Sequence, residues 1–155
     1  MSTSSSSSAV QDRYPDSVSY CYGCGRNNHQ GLKIRSYREG DQWIASFTPG
    51  PEHIAVPGFV YGGLLASLID CHGVGTAAAA SLGDDNGELE MPRFVTGSLN
   101  VRYLKPTPLG PELQLSARPV EVGERKVRVE ISLRAEGVTC VAGDVVAVKI
   151  PDSMA

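Results

Sequence analysis

The sequence predicts an α+β domain, one long helix laid against an antiparallel sheet. Three observations carry this. Residues 62–81 form a proline-free run of Leu, Ile, Ala and Gly, long enough for about five helical turns. Several segments after it show β-branched, alternating patterns bounded by Pro and Gly. The order β-β-α-β-β-β-β holds a single helical segment, and a lone apolar helix against a sheet is a two-layer α+β arrangement.

The chain opens on residues 1–8 (MSTSSSSS), which offer nothing to bury. Residues 1–13 are therefore expected to be a disordered tail, with a single ordered domain over 14–155. Residues 31–37 (GLKIRSY) read as a short strand, and residues 42–48 alternate Trp43, Ala45 and Phe47 against Ile44, Ser46 and Thr48. Arg38 to Asp41 joins them as a hairpin turn. Three prolines make 49–57 a loop.

In the helix, Leu64, Leu65, Leu68 and Ile69 share one face, and Asp70 lies opposite with Gly63, Ser67 and Val74. Residues 82–92 (LGDDNGELEMP) read as a polar, mobile loop. Strands are expected at 94–105, at 112–122 (an edge or a bulge near Pro119), at 126–134 and at 138–150. The helix is too apolar for one sheet to account for. Either the sheet wraps it or a partner subunit covers its small-residue face, so a homo-oligomer is expected.

Composition bounds the function. The 155 residues suffice for one domain with a real core. Lys and Arg total 14 against 17 Asp and Glu, for a net charge of −3, which argues against a nucleic-acid partner. No run approaches the roughly 20 continuous apolar residues of a membrane span, and no apolar stretch follows the N-terminus as in a signal peptide. Four cysteines do not make a dense disulfide framework. The expectation is a soluble cytoplasmic domain.

The helix start is the first candidate site. A helix N-terminus presents unpaired N–H groups and partial positive charge. Gly62 and Gly63 leave the backbone open, so a ligand oxygen can approach and a developing oxyanion be stabilised. A tight turn packed on the sheet is the plainer explanation of two glycines. Asp70 is the second candidate, because a carboxylate in an otherwise apolar helix is rarely buried without a partner or a task.

The segments CYGCGRNNHQGL (21–32), PGFVYGGLLASLID (57–70) and VRYLKPTPLG (101–110) together resemble a hotdog-fold thioesterase of the PaaI-like group. The resemblance spans nearly the whole chain beyond the tail. It implies a curved antiparallel sheet wrapped around the helix, and a homodimer, often paired into a tetramer, with active sites at the dimer interface. The implied reaction is hydrolysis of an acyl-CoA thioester to free acid and CoA, with no metal or redox cofactor.

Carried over by position, Gly62 matches the glycine whose N–H polarises the thioester carbonyl, and Asp70 the carboxylate that acts as general base or nucleophile, supplied by the neighbouring subunit. Thr96 matches the hydroxyl residue that holds the attacking water, with Ser98 as the alternative. Tyr61 and Gly63 complete the substrate-binding turn. Tyr61 replaces the family's usual His. Ile54 and Ala55 stand where relatives place Asn or Gln, so His53 is the candidate substitute.

Other residues read more plainly. Cys21 and Cys24 with His29 nearby suggest zinc, but Cys71, His72 and Cys140 lack the spacing of a second ligand pair, so the cysteines read as packing residues. His72 falls on the Leu face and reads as a core histidine. Arg102, Lys105, Arg125 and Lys126 read as exposed charges, though such groups can meet phosphates. Two rival functions stay open: a non-catalytic acyl-CoA or fatty-acyl binding protein, and an acyl-thioester hydratase or dehydratase using Asp70 with His53 or His72.

Overall fold

The computed structural model describes residues 8–84, 87 and 89–154. The elements are β1 (Tyr37–Glu39), β2 (Gln42–Phe47), α1 (Gly62–Ala80), β3 (Phe94–Tyr103), β4 (Leu113–Val122), β5 (Lys126–Ala135) and β6 (Val138–Lys149). Their order matches the expectation. They form one six-stranded antiparallel sheet, ordered β1-β2-β4-β5-β6-β3, with α1 packed across β3 to β6. Alternation builds the core face: Val127, Val129, Ile131 and Leu133 of β5 are buried, and Arg128, Glu130, Ser132 and Arg134 are not. Trp43 and Ala45 do the same in β2.

Two strands are irregular. In β3 the register against β6 shifts between Thr96 and Ser98, so Gly97 is an inserted bulge residue. A Cβ on Gly97 would lie 2.8 Å from the Val148 side chain. In β4 the shift falls between Pro119 and Glu121. Of the two arrangements expected near Pro119, the structure takes the bulge: β4 lies inside the sheet, but its pairing with β2 stops at Ala117, so the missing Pro119 N–H breaks no ladder bond on that side.

The N-terminal region departs most from expectation. Order begins before Tyr14: Ala9, Val10 and Gln11 are buried, and Val10–Arg13 forms a 3₁₀ turn. Residues 1–7 of the expected tail lie outside the described residues, as do Asp85, Asn86 and Glu88 of the expected loop. The strand expected over 31–37 is also corrected, because β1 starts only at Tyr37. Lys33 turns left-handed at φ 55°, and the N–H groups of Leu32 and Ile34 donate to the carbonyls of Tyr22 and Gly23 rather than into the sheet.

This N-terminal segment explains the helix's composition. By length and hydropathy α1 passes as a membrane span, more apolar than the sequence reading allowed, yet it is mostly buried inside the fold. The sheet covers one side, where a Cβ on Gly73 would fall 2.8 Å from Val145 Cγ2 and one on Gly143 would fall 2.5 Å from Ile69 Cγ2. The N-terminal segment covers the other, where a Cβ on Gly75 would fall 2.6 Å from Gln11 Nε2. Val74, expected on the same face as Asp70, is therefore buried. The stripe of Gly63, Ala66, Ser67 and Asp70 stays partly open.

One polar chain crosses this packing. Gln11 Nε2 donates to Ser36 Oγ at 3.0 Å, Ser36 Oγ lies 2.7 Å from His72 Nδ1, and His72 Nε2 lies 3.0 Å from the Trp43 carbonyl. The arrangement is satisfied with Nε2 protonated and Nδ1 accepting, so His72 is a neutral core residue. Burial pushes its pKa down to about 4. The unfolded chain takes up this proton near pH 6.5 and the folded one only near 4. Stability is therefore complete above the higher value and drains away as pH falls between the two, by about 3 kcal/mol. Urea denaturation over that window should show this slope, and a His72→Gln chain should lack it. Gly73→Ala should lower the urea midpoint, by about 1–3 kcal/mol in stability, because helix and sheet must separate to admit the methyl.

Candidate active site

The helix start is held from three sides. The Tyr61 N–H donates to the His53 carbonyl, and the Tyr61 carbonyl accepts from Leu64 and Leu65. The Val60 N–H donates to the Thr107 carbonyl, and Phe59 bridges to Pro108. Tyr103 at the end of β3 donates its hydroxyl to the Gly62 carbonyl at 2.8 Å. Tyr61 is the N-cap residue but makes no side-chain cap, so first-turn N–H groups, Gly62's among them, have no acceptor within the helix. A Cβ on Gly63 would meet the Tyr61 ring at 2.5 Å, whereas one on Gly62 would sit at an ordinary 3.5 Å from Tyr103. The Tyr61 ring thus lies across Gly63, and the Tyr103 ring lies against Gly62.

Asp70 lies about two turns further along α1 on the partly open stripe. Thr96 Oγ1 donates to Asp70 Oδ1 at 2.6 Å. Burial raises the carboxyl's pKa above the usual carboxylate range, while the Thr96 bond and the Arg93 charge pull it down. The result is a half-buried, oriented carboxylate whose second oxygen has no hydrogen bond to a described residue. That combination suits proton abstraction from a positioned water, or direct attack.

A long helix with an open N-terminus, a hydroxyl-anchored carboxylate on it and a six-stranded antiparallel sheet around it make a specific combination. The family model of the thioesterase superfamily matches residues 57–142, more than half of the chain, and takes in α1 with Asp70, Thr96, the strands β3 to β5 and the start of β6. The chain belongs to the thioesterase superfamily.

Solved structures agree. A thioesterase superfamily protein from Shewanella loihica is 49% identical, with 89% of this chain and 100% of that one covered and a TM-score of 0.69. The PaaI protein of the Escherichia coli phenylacetic acid degradation operon is 16% identical over 77% and 81% of the two chains, with a TM-score of 0.64. A Haemophilus influenzae thioesterase is 21% identical over 77% and 79%, with a TM-score of 0.63. The latter two show the fold, which is the hotdog fold. No curated protein matches the chain.

The thioesterase's other candidate residues separate. Thr96 reaches Asp70; Ser98, beyond the bulge, does not bond to it. His53 supplies the helix start with its carbonyl, but its imidazole Nδ1 accepts the Gly50 N–H at 2.9 Å and its ring packs on Phe47. It therefore shapes the turn, and its side chain is committed elsewhere. Tyr103 and Arg93 join the site without a signal in the sequence. The spacing within VRY carries no sign that Tyr103 returns to Gly62 some forty residues back, and Arg93 acts on Asp70 through space. Removing the hydrogen bond in Thr96→Val should move the Asp70 carboxyl pKa upward, as followed by carbon-detected NMR titration, with the amide spectrum otherwise unchanged.

Proposed function

We propose that the protein hydrolyses acyl-CoA thioesters, at sites shared between two copies of the chain. Superfamily membership supports a thioester hydrolase in general. The observation that carries the finer reading is the division of labour along α1. Gly62 and Asp70 are eight residues apart on one straight helix, hence about 12 Å along its axis. One carbonyl cannot be reached by both from a single chain. A two-fold pairing that sets Gly62 of one copy opposite Asp70 of the other resolves this.

The surface is suited to such pairing. β3 is an edge strand with Val95, Leu99 and Tyr103 exposed, and Ile54, Phe59 and Tyr61 add apolar surface at the helix start. Pairing along this edge gives a homodimer, and further assembly a tetramer; a cytoplasmic setting fits an intracellular thioester substrate.

In this site the Gly62 N–H holds the thioester oxygen. Asp70 takes a proton from water as the hydroxide adds to the carbonyl carbon, with Thr96 orienting the carboxylate. The tetrahedral oxyanion, stabilised by Gly62, collapses and expels the CoA thiolate, which needs no strong acid. Asp70 then returns the proton to the thiolate. The nucleophilic variant, in which Asp70 itself attacks and the anhydride is hydrolysed, differs in labelling: a single turnover in ¹⁸O-water would place the label in the protein carboxylate only in that case. The hydratase reading loses one of its partners, because His72 is buried with both ring nitrogens engaged.

Three measurements test the proposal. Thiol release from short, long and aryl acyl-CoAs should show turnover, and Asp70→Asn should lower kcat by about 10²–10⁴ with the circular dichroism spectrum retained. Gly62→Pro removes the one N–H while suiting the first helical position, and the extended Tyr61 backbone tolerates a following proline. It should lower kcat by about 10²–10³. Mixing the two inactive variants should restore roughly a quarter of wild-type activity as dimers reassort, since half the dimers then carry one intact site. Tight acyl-CoA binding without turnover in the wild type would favour the binding-protein alternative.

A further inference from the structure

Cys71 of α1 meets the CYGCG loop on the side of the helix away from the sheet. The sulfurs of Cys21, Cys24 and Cys71 lie within 4.8 Å of one another, and Cys21 Sγ and Cys71 Sγ are 3.8 Å apart. Two thiolates on a tetrahedral zinc ion are also about 3.8 Å apart, given Zn–S distances of about 2.3 Å. The Gly25 N–H closes the loop on the Cys21 carbonyl at 2.7 Å, which holds Cys21 and Cys24 on one turn. A Cβ on Gly23 would run into Cys71 Sγ, so the glycine is what lets the third sulfur join.

A second observation is independent of the sulfurs. The Tyr14 hydroxyl is one of two buried side-chain polar atoms without a hydrogen-bond partner among the described residues, and Tyr14 is only 3% exposed. Such a group costs about 1–3 kcal/mol unless something satisfies it. Tyr14 packs in the same buried cluster as Cys24 and Cys71, with Cys21 against it. The Arg93 guanidinium sits 4.7 Å over the same ring and also acts on Cys24. Three thiolates on a dication leave one negative charge, which a neighbouring guanidinium balances.

We propose that Cys21, Cys24 and Cys71 form a binding site for a zinc-class divalent ion, with the Tyr14 oxygen, directly or through one water, at the fourth position. Cys24 and Cys71 are buried and Cys21 is half-buried, so the cluster is most exposed at Cys21. The ion would be structural. It ties the N-terminal segment to α1 one residue from Asp70, and it takes no part in the hydrolysis. Cys140, in β6, stands outside the cluster.

The test is a cobalt titration of the full-length, reduced, chelator-treated protein. Expected are a thiolate-to-cobalt charge-transfer band and the strong visible bands of tetrahedral cobalt, saturating at one ion per chain and displaced by one equivalent of zinc. Cys71→Ser and Cys24→Ser should each weaken binding at least about 10-fold. Cys140→Ala should leave it unchanged. Zinc should raise the melting temperature of the wild type and of Cys140→Ala but not of Cys71→Ser. If Cys71→Ser does not fold, Cys21→Ser, at the half-buried position, makes the same comparison. A folded, reduced protein that gives no charge-transfer band, or a band that survives in the cysteine variants, overturns the proposal.

Discussion

Everything in this molecule depends on how closely α1 can approach its neighbours on both sides. Gly73 and Gly143 let helix and sheet interlock at van der Waals distance, and Gly75 does the same for the N-terminal segment. A helix enclosed in this way has almost no solvent face, and the little that remains carries Asp70. The carboxylate's raised pKa comes from that enclosure, with the Thr96 and Arg93 contributions moderating it. Close packing also fixes the axis of α1, so the helix start and Asp70 cannot drift relative to one another.

The polar groups inside this packing divide into two kinds. Those of Gln11, Ser36, His72 and the Trp43 carbonyl satisfy each other and serve only the fold. The hydroxyls of Tyr14, which packs in one buried cluster with Cys24 and Cys71, and of Thr107 have no hydrogen-bond partner among the described residues. In a well-packed interior, incomplete satisfaction is the exception, and it concentrates where a ligand or a reaction completes the set.

Much of this was legible in the sequence. Period-two alternation located β2 and β5, and the proline-free apolar run located α1 to within one residue of its C-terminal end. Asp70 stood out because its chemistry conflicts with its surroundings, and Thr96 because of the family pattern. What could not be read were relations between distant segments. Residues 31–36 look like a strand by composition, yet the Leu32 and Ile34 N–H groups go to the CYGCG loop. Val10 and Gln11 look like a continuation of a polar tail, yet they are buried, and Gln11 fills the space left by Gly75. Cys71 lacks any metal-ligand spacing because its partners lie some fifty residues away and meet it only through the fold.

The extra residue in β3 has a consequence for which side chains can act together. Along an unbroken strand, side chains seven positions apart face opposite sides of the sheet. Thr96 and Tyr103 are seven apart, yet one bonds Asp70 and the other the carbonyl of Gly62, both on the helix side. The insertion of Gly97 changes the parity between them, pairing Thr96 with Ala147 and Tyr103 with Val141, two residues of the same inward row of β6. It also turns Ser98 outward, although by sequence it is as good a hydroxyl as Thr96. A single glycine thus acts as a phase shift, allowing one strand to brace the N-terminal end of the helix and the carboxylate two turns away.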